Sequence, residues 1–340
     1  MDIDKKLLND IFKIPSLSGD EAAMANFIKN KLDTLKVPYE EDAKGNVFYF
    51  DGKKPFLNAH MDTVQDMDDF YLAHLISIKE DSIIDGLGVI GGDDKCGIYI
   101  ILRLLERGHD INFAFTVSEE VGTIGARYLA LTKAKELRLC LYGLTLDRKG
   151  SSDIICAKNN YGTLEFENAL KVVGEEFGYK EAAGVLSDAD EFNEFMSCAN
   201  LSVGYYRHHT KKEFVILRDL ERAEKYVEKI VRAIQEEFGI PEPKYKYSKY
   251  SGYGYGYGSY DAYGEYDAYG EYSGYNKKTW EEEADDYYDA LSKKFSSTGC
   301  DLCGGKDDIV FLNSLQGFYC GNCLIDITEE ILDKSSLEII

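Results

Sequence analysis

The sequence lacks a long hydrophobic run, and this absence argues against a membrane-spanning protein. No stretch approaches the ~18 uninterrupted apolar residues that a spanning helix needs. The first ten residues, MDIDKKLLND, also lack the apolar segment of a signal peptide. From the sequence we therefore expect a soluble, cytoplasmic protein.

Basic residues are scarce relative to acidic ones. Lysine and arginine total 39 against 61 aspartate and glutamate residues, which gives a net charge of -22 at pH 7. Such a surface repels nucleic acid phosphates and anionic membranes, so we expect neither as a main partner. The hydrophobic fraction of 44% in 340 residues is nevertheless sufficient for the core of a large α/β domain.

Residues 1–240 alternate between strand-like and helix-like segments. This alternation predicts an α/β fold of three layers, in which a mostly parallel mixed sheet lies between helices. A capping box, with Ser18 three residues before Glu21, is predicted to begin an early helix. Further helices are predicted near 95–108, 122–133 and 217–238, and strands near 45–50, 55–60, 112–118, 138–146 and 200–206.

The composition changes sharply after residue 240. Residues 241–277 form a tyrosine- and glycine-rich segment in which YDAYGEY recurs, followed at 278–296 by a predicted short acidic helix. The tyrosine-rich segment has little to bury and is predicted to be a flexible linker. In the alternative interpretation, its tyrosines act as weak adhesive groups for self-association or for a protein partner.

The eight cysteines fall into two groups. Four are scattered, which suits buried reduced thiols rather than a disulfide framework. The other four, Cys300, Cys303, Cys320 and Cys323, form two C-x-x-C pairs with 16 residues between them. This spacing is typical of a four-thiolate structural zinc site. Residues 297–340 are therefore predicted to be a small zinc-ribbon-like module with one structural zinc, and a redox role is the weaker alternative.

Acidic and histidine residues recur where apolar strands end or helices begin. They are His60 and Asp62 in PFLNAHMDTV, Asp93 and Asp94 in GGDDKCG, Glu119 and Glu120 in TVSEEVG, Asp147 in LDRKG, and His209 in YYRHHTKKE. In open α/β sheets, ligands bind beyond the carboxyl ends of the strands. Clustered carboxylates repel one another without a cation, so two divalent ions are the expected partner. Each motif alone also has a plain explanation, such as a surface hydrogen bond or a helix N-cap.

Taken together, these motifs resemble those of a known family. The ordered set NAHMDTV, GGDDKCG, TVSEEVGTIGA, LDRKG and GYYRHHTKKE is similar to that of the co-catalytic zinc exopeptidases, which include peptidase T, carboxypeptidase G-type enzymes and bacterial dinuclear aminopeptidases. The resemblance covers residues 1–238.

The resemblance implies a role for each residue of the set. Asp93 would bridge two zinc ions, and cobalt or manganese suit the same ligands. His60 and Asp147 would complete one ion, and Glu120 and His209 the other. Asp62 would orient His60, and Glu119 would be the general base that takes a proton from the attacking water and gives it to the leaving amine. The Asp93–Asp94 peptide bond is expected to be cis. His208 is ambiguous beside His209, whereas His74 and His109 are interpreted as ordinary histidines.

The chain departs from peptidase T-like enzymes in one spacing. Only 61 residues separate Asp147 from His209, too few for the lid and dimerisation domain that those relatives carry there. A lidless form lacks the residues that bind a substrate's C-terminal carboxylate, which favours an aminopeptidase acting on peptides. Two alternatives remain open: an N-acyl amino acid amidohydrolase or dipeptidase with the same site, and an inactive peptidase-like scaffold that assembles through its tail.

Overall fold

The computed structural model describes residues 3–65, 77–78, 82–84, 88–241, 309–312 and 317–320. The chain divides into two units, Met1–Lys244 and Tyr245–Ile340. The helices of the first unit are α1 (Lys5–Phe12), α2 (Ala22–Leu35), α3 (Gly92–Glu106), α4 (Ile124–Thr132), α5 (Ala134–Leu137), α6 (Leu164–Gly174), α7 (Ala189–Phe192) and α8 (Leu217–Ala233). Its strands are β1 (Glu40–Glu41), β2 (Val47–Tyr49), β3 (Phe56–His60), β4 (Ser77–Ile78), β5 (Ser82–Ile84), β6 (Asn112–Thr116), β7 (Gly143–Arg148), β8 (Asp153–Ile155), β9 (Lys180–Ala182), β10 (Cys198–Ser202), β11 (Tyr205–Tyr206) and β12 (Phe214–Ile216).

Eight strands form the central sheet, in the order β1-β2-β6-β3-β7-β10-β8-β9. The middle strands β6, β3, β7 and β10 run parallel to one another, and antiparallel pairs flank them at β2 and β8. Every residue of β3, β6 and β10 is buried, as expected for parallel strands that are covered on both faces. The predicted α/β fold with a mostly parallel mixed sheet and flanking helices is therefore confirmed.

Helix α3 packs against β3 and β7 and is buried along most of its length. Its segment from Gly97 to Leu102 is almost entirely apolar, which suits a helix enclosed by other elements. The first turn is unusual, because Asp93 and Asp94 are not helical and are joined by a cis peptide bond, as predicted. Asp93 and Asp94 therefore stand between the preceding glycine turn and the regular helix.

The predicted capping box at α2 is wrong. Glu21 occupies the N-cap position without a capping hydrogen bond from its side chain. The Ser18 hydroxyl instead donates to Asp62 Oδ2 at 2.7 Å. Glu21 Oε1 accepts from the backbone N–H groups of Gly19 at 2.9 Å and Ser118 at 3.0 Å. Both side chains are thus engaged by partners outside the helix.

Three predicted boundaries also differ from the structure. The strand predicted at 138–146 begins only at Gly143, because the short helix α5 and a turn precede it. The helix predicted at 217–238 ends at Ala233. The strand predicted at 200–206 is split into β10 and β11 at Gly204, whose φ of 96° favours glycine. A Cβ atom there would lie 2.7 Å from the backbone nitrogen of Leu220.

A second, antiparallel sheet has the order β11-β12-β5-β4. The turn between β11 and β12 carries the histidines of the YYRHHTKKE motif. No helix among the described residues has both the length and the apolar character needed to cross a bilayer.

In the second unit, strands β13 (Ile309–Leu312) and β14 (Gly317–Cys320) pair antiparallel, with Ile309 opposite Cys320. The predicted linker beyond Pro241 and the predicted acidic helix lie outside the described residues, as do Cys300, Cys303 and Cys323. The four-thiolate zinc site therefore stays a prediction.

Candidate metal and catalytic site

The residues singled out in the sequence meet at the carboxyl ends of the parallel strands. His60 ends β3, Asp147 lies near the end of β7, and Glu120 follows β6. Asp93 comes from the first turn of α3, and His209 from the turn after β11. Their donor atoms fall into groups within 4.8 Å of one another, including His60 with Asp93 and Glu120, His60 with Glu119 and Asp147, and Asp93 with His208 and His209.

The His60 ring is held from one side and faces carboxylates on the other. Its Nδ1 lies 2.8 Å from the backbone oxygen of Asp62, while its Nε2 lies 3.0 Å from Asp93 Oδ1 and 3.5 Å from Asp147 Oδ1. A hydrogen bond from Nδ1–H to a carbonyl fixes the tautomer that leaves the Nε2 lone pair free. This lone pair then points at the two carboxylates, an arrangement that suits a shared cation.

The Asp93 carboxylate stands between two histidines. Its Oδ1 faces His60, and its Oδ2 lies 3.3 Å from His209 Nε2. The same His209 nitrogen is 2.9 Å from Glu120 Oε1. One carboxylate thus presents its two oxygens to two separate imidazoles, each of which has a second carboxylate as neighbour.

Asp62 does more than face His60. Its carboxylate accepts hydrogen bonds from the backbone N–H of Glu119 at 2.9 Å and of Glu120 at 3.1 Å, and from the Ser18 hydroxyl at 2.7 Å. Its Oδ1 is 3.4 Å from His60 Nδ1. Asp62 therefore holds the turn that carries both glutamates, a contact that sequence reasoning did not predict.

Sequence reasoning also missed two supporting residues, Ser18 and Glu21. Ser18 supports Asp62, and Glu21 holds both the backbone N–H and the hydroxyl of Ser118, just before the two glutamates. The signal was present as the Ser-x-x-Glu spacing. That spacing favours a helix cap formed by Ser18 and Glu21 themselves. Their contacts with Asp62 and Ser118, which are far away in the sequence, show that both residues support the site.

Asp94, the neighbour of Asp93, is fully buried and supports the backbone. Its Oδ2 accepts from the N–H of His60 at 3.2 Å and its Oδ1 from the N–H of Gly97 at 2.9 Å. It belongs to none of the candidate ligand groups among the described residues. Asp94 thus links the end of β3 to the start of α3.

The crowded carboxyl groups shift one another's pKa. Burial raises the pKa of Asp147 to about 8, and the nearby Asp93 carboxylate adds to the rise. Burial likewise raises the pKa of Glu119 and Glu120. For Asp93, burial acts in the same direction, but hydrogen bonds with His209 and His60 outweigh it and lower its pKa. So many carboxyl groups in one place require positive charge for compensation.

The histidines respond in the opposite sense. Hydrogen bonds to Asp93 and Glu120 raise the pKa of His209 to about 10. Burial acts to lower the pKa of His60, but the surrounding carboxylates outweigh burial and raise it well above its ordinary value. The site therefore favours cations, and its donor set of imidazoles and carboxylates is one that zinc and similar divalent ions accept.

Of the adjacent histidines His208 and His209, only His209 contacts two carboxylates of the site. His208 shares a candidate ligand group with Asp93, but its Nδ1 is buried without a hydrogen-bond partner in the described part of the chain. His209 contacts both Glu120 and Asp93 and is the better placed of the two. His109 lies 2.9 Å from Glu228 and outside the candidate groups, and His74 is not among the described residues.

The site opens into a cavity of about 110 Å³. An acidic wall of the cavity includes Asp93, Glu119 and Glu120. An apolar wall is supplied by Ile155, Val185 and Leu186, and exposed fractions of 77% for Val185 and 53% for Leu186 leave these two side chains available to a ligand. The cavity thus combines acidic groups with a surface suited to an apolar side chain.

Comparison with known proteins identifies the family. Residues 56–233, which are 178 of 340 positions, match the sequence profile of peptidase family M20/M25/M40. The chain belongs to this family. Peptidases of family M20 use metal ions, and the cluster described above is a candidate dinuclear site.

A curated relative in Aspergillus niger, a probable carboxypeptidase, is 27% identical over 139 residues, covering 35% of this chain and 33% of the relative. The chain therefore spans about a third of the length of the curated relative that it matches.

Solved structures share the fold over a longer range. The aminopeptidase PepT of Bacillus cereus is 19% identical over 66% of this chain and 96% of its own, with a TM-score of 0.53. A tripeptidase of Staphylococcus aureus is 17% identical over 68% and 97%, with a TM-score of 0.56. The TET1 peptidase of Pyrococcus horikoshii is 19% identical over 67% and 99%, with a TM-score of 0.54.

Proposed function

We propose that this metallopeptidase is an aminopeptidase that removes residues from the N-termini of peptides with the help of two zinc ions. The observation that carries the proposal is the geometry of Asp93. Its two oxygens face His60 and His209, and a further carboxylate lies beside each histidine. This pattern is what a pair of cations that share one carboxylate requires.

In this proposal His60 and Asp147 would hold one ion, His209 and Glu120 would hold the other, and Asp93 would be a ligand of both. A bound pair of divalent cations polarises a substrate carbonyl and lowers the pKa of water. Asp62 orients His60 through the contacts at Nδ1. Zinc suits this ligand set, and cobalt and manganese are the other metals that it accepts.

Glu119 is proposed as the general base. Its donor oxygens lie in one group with His60 and Asp147, whereas the carboxylate of its neighbour Glu120 is directed at His209. The backbone N–H groups of both glutamates are fixed by Asp62. In this role Glu119 would take a proton from the attacking water and return it to the leaving amine, while the neighbouring His60 and Asp147 would hold the ion.

The segment between Asp147 and His209 supports an aminopeptidase over a carboxypeptidase. In this fully described segment, β8, β9 and β10 are strands of the central sheet, so the residues form no separate domain over the cleft. A carboxylate-binding lid is thus missing from this segment. The net charge of -22 favours the approach of a positively charged amino terminus.

The test is hydrolysis of matched peptides with a free amino terminus, an acetylated amino terminus or a blocked carboxyl terminus. We expect cleavage to need the free amino group, to tolerate the blocked carboxyl terminus, and to stop when a chelator is present. Cleavage of the acetylated peptides would instead support the amidohydrolase. Chelator-resistant cleavage would contradict the metal mechanism, and no hydrolysis or metal binding at all would support the scaffold alternative.

A further inference from the structure

Two buried charged side chains enclose the segment that presents Asp93. Glu213 lies four residues after His209 and is 1% exposed. Its Oε2 accepts from the N–H of Gly91 at 2.8 Å, and its Oε1 accepts from the N–H of Asp93 at 3.2 Å. A single carboxylate thereby holds two backbone positions of the turn that leads into the proposed bridging ligand.

Lys95 holds the same turn from another side. It is fully buried, and its Nζ donates to the backbone oxygens of Ile90 and Phe12, both at 3.3 Å. Burial lowers the pKa of Lys95 to about 7 and raises the pKa of Glu213 to about 7, and the charge of each residue opposes the shift of the other. Two buried opposite charges offset part of each other's desolvation cost, whereas one alone would be strongly destabilising.

The turn has no spare room between these side chains. Gly91 has a φ of 71°, and a Cβ atom on it would lie 2.5 Å from Thr63 Cγ2 and 3.3 Å from Lys95 Cε. A Cβ atom on Gly92 would lie 2.8 Å from Tyr205 Cβ and 3.1 Å from Glu213 Oε1. The two glycines therefore allow the backbone to approach both charged side chains closely.

We propose that Glu213 is a positioning residue that fixes the Asp93 carboxylate between His60 and His209, with Lys95 as its buried counter-charge. This inference rests on the proposed dinuclear site. Glu213 and His209 belong to the same turn, so one segment supplies a ligand to one ion and also aligns the carboxylate that both ions share. Displacement of this turn would weaken the binding of both ions.

Cobalt(II) titration of the metal-free protein tests the proposal, because the absorption of bound cobalt reports ligand geometry independently of turnover. All proteins in the titration also carry Cys300→Ser and Cys303→Ser, because the predicted four-thiolate site would bind cobalt too. The chain without further changes, which is the wild type of this experiment, is expected to bind two ions at the active site. In Glu213→Gln, an amide NH₂ group replaces one of the two acceptors and faces a backbone N–H. We expect roughly 10–100-fold weaker cobalt binding, as is typical when a group that orients a metal ligand is changed, together with an altered visible spectrum.

Glu167→Gln is the matched control. Glu167 is also buried, at 3% exposure, and accepts from a backbone N–H, that of Ala157 at 3.0 Å, outside the candidate ligand groups. This variant is expected to lose some stability and to keep the wild-type cobalt affinity and spectrum. Equal losses of affinity in the two variants would overturn the specific role of Glu213.

The double variant Lys95→Met/Glu213→Gln separates charge balance from positioning. It removes both buried charges, so its melting temperature is expected to exceed that of Glu213→Gln while its cobalt binding stays weak. If Glu213→Gln alone fails to fold, the cobalt titration is carried out on the double variant instead. Wild-type cobalt affinity and spectrum in either variant would overturn the proposal, whereas a wild type that binds no cobalt would contradict the proposed function itself.

Discussion

Glu119 and Glu120 are identical neighbours whose carboxylates belong to two candidate ligand groups that have His60 in common and otherwise differ. Glu120 contacts His209, and Glu119 lies in the group of His60 and Asp147. Asp62 makes this divergence rigid, because it binds both backbone N–H groups. Replacement by glutamine should therefore impair different properties at the two positions, turnover at Glu119 and metal binding at Glu120.

We expect Glu119→Gln to lower kcat by roughly 10²–10⁴-fold, the usual loss of a general base, with unchanged metal content. Glu120→Gln should lose metal from the purified protein, because it removes a charged ligand. Turnover and metal analysis of the same samples distinguish the two. The control is Glu165→Gln, an exposed change on α6 that should alter neither quantity. Full metal content in Glu120→Gln would contradict its ligand role.

Ser18 contributes a charge-assisted hydrogen bond to Asp62. Its loss in Ser18→Ala should lower the free energy of unfolding by about 1.5–3 kcal/mol, because a buried carboxylate loses one of its donors. The matched change is Thr34→Ala, whose hydroxyl donates to the Asn30 carbonyl on the exposed face of α2 and should change stability by less than about 0.5 kcal/mol. Urea unfolding of both variants measures the difference, and equal effects would argue against a special role for Ser18.

At the scale of elements, apolar runs predicted the central strands and α3 because burial on a parallel sheet needs such runs. Local spacing could not predict the contacts of Ser18, whose partner Asp62 is 44 residues away. It also could not predict the link from Glu213 to Asp93, which are 120 residues apart. The supporting contacts of the site depend on tertiary packing, whereas the proposed ligands mark the ends of elements and are visible in the sequence.

Gly97 shows how closely α3 packs on the sheet. A Cβ atom there would lie 2.6 Å from both carboxylate oxygens of Asp94 and from the backbone oxygen of Leu146. Although alanine favours a helix by about 1 kcal/mol over glycine, Gly97→Ala should destabilise the protein by about 1–3 kcal/mol through overpacking. Thermal unfolding measures this change. An unchanged or higher melting temperature would show that α3 can shift away from β7.

At the scale of the whole first unit, the order β6-β3-β7-β10 explains why distant motifs converge. Parallel strands end at one edge of the sheet, so residues that follow β3, β6 and β7 become neighbours although 87 positions separate His60 from Asp147. The sequence predicts that these residues converge, because each of them lies at or near the end of a predicted strand. The strand order itself was not predicted, since no local pattern specifies which strands pair.

The convergence of so many carboxylates predicts that metal stabilises the fold. Removal of metal with a chelator should abolish hydrolysis and lower the melting temperature, because the ions bind the folded state alone. With free zinc at 100 times its dissociation constant, each ion contributes about 2.7 kcal/mol. Calorimetry with and without added zinc measures the shift. A melting temperature that does not respond to zinc in the metal-free protein would contradict a site formed by these residues.

The C-terminal cysteines allow a separate count of metal in the full chain. Two C-x-x-C pairs predict one zinc in addition to the two proposed for the first unit, so wild type should hold about three. Replacing Cys300 and Cys303 with serine should reduce this to about two and leave hydrolysis intact, because the proposed ligands of the active site all lie in the first unit. Cys140→Ala is the control, since this buried thiol is outside both sets and should leave the zinc content unchanged. A serine variant that retains its third zinc would exclude the four-thiolate site.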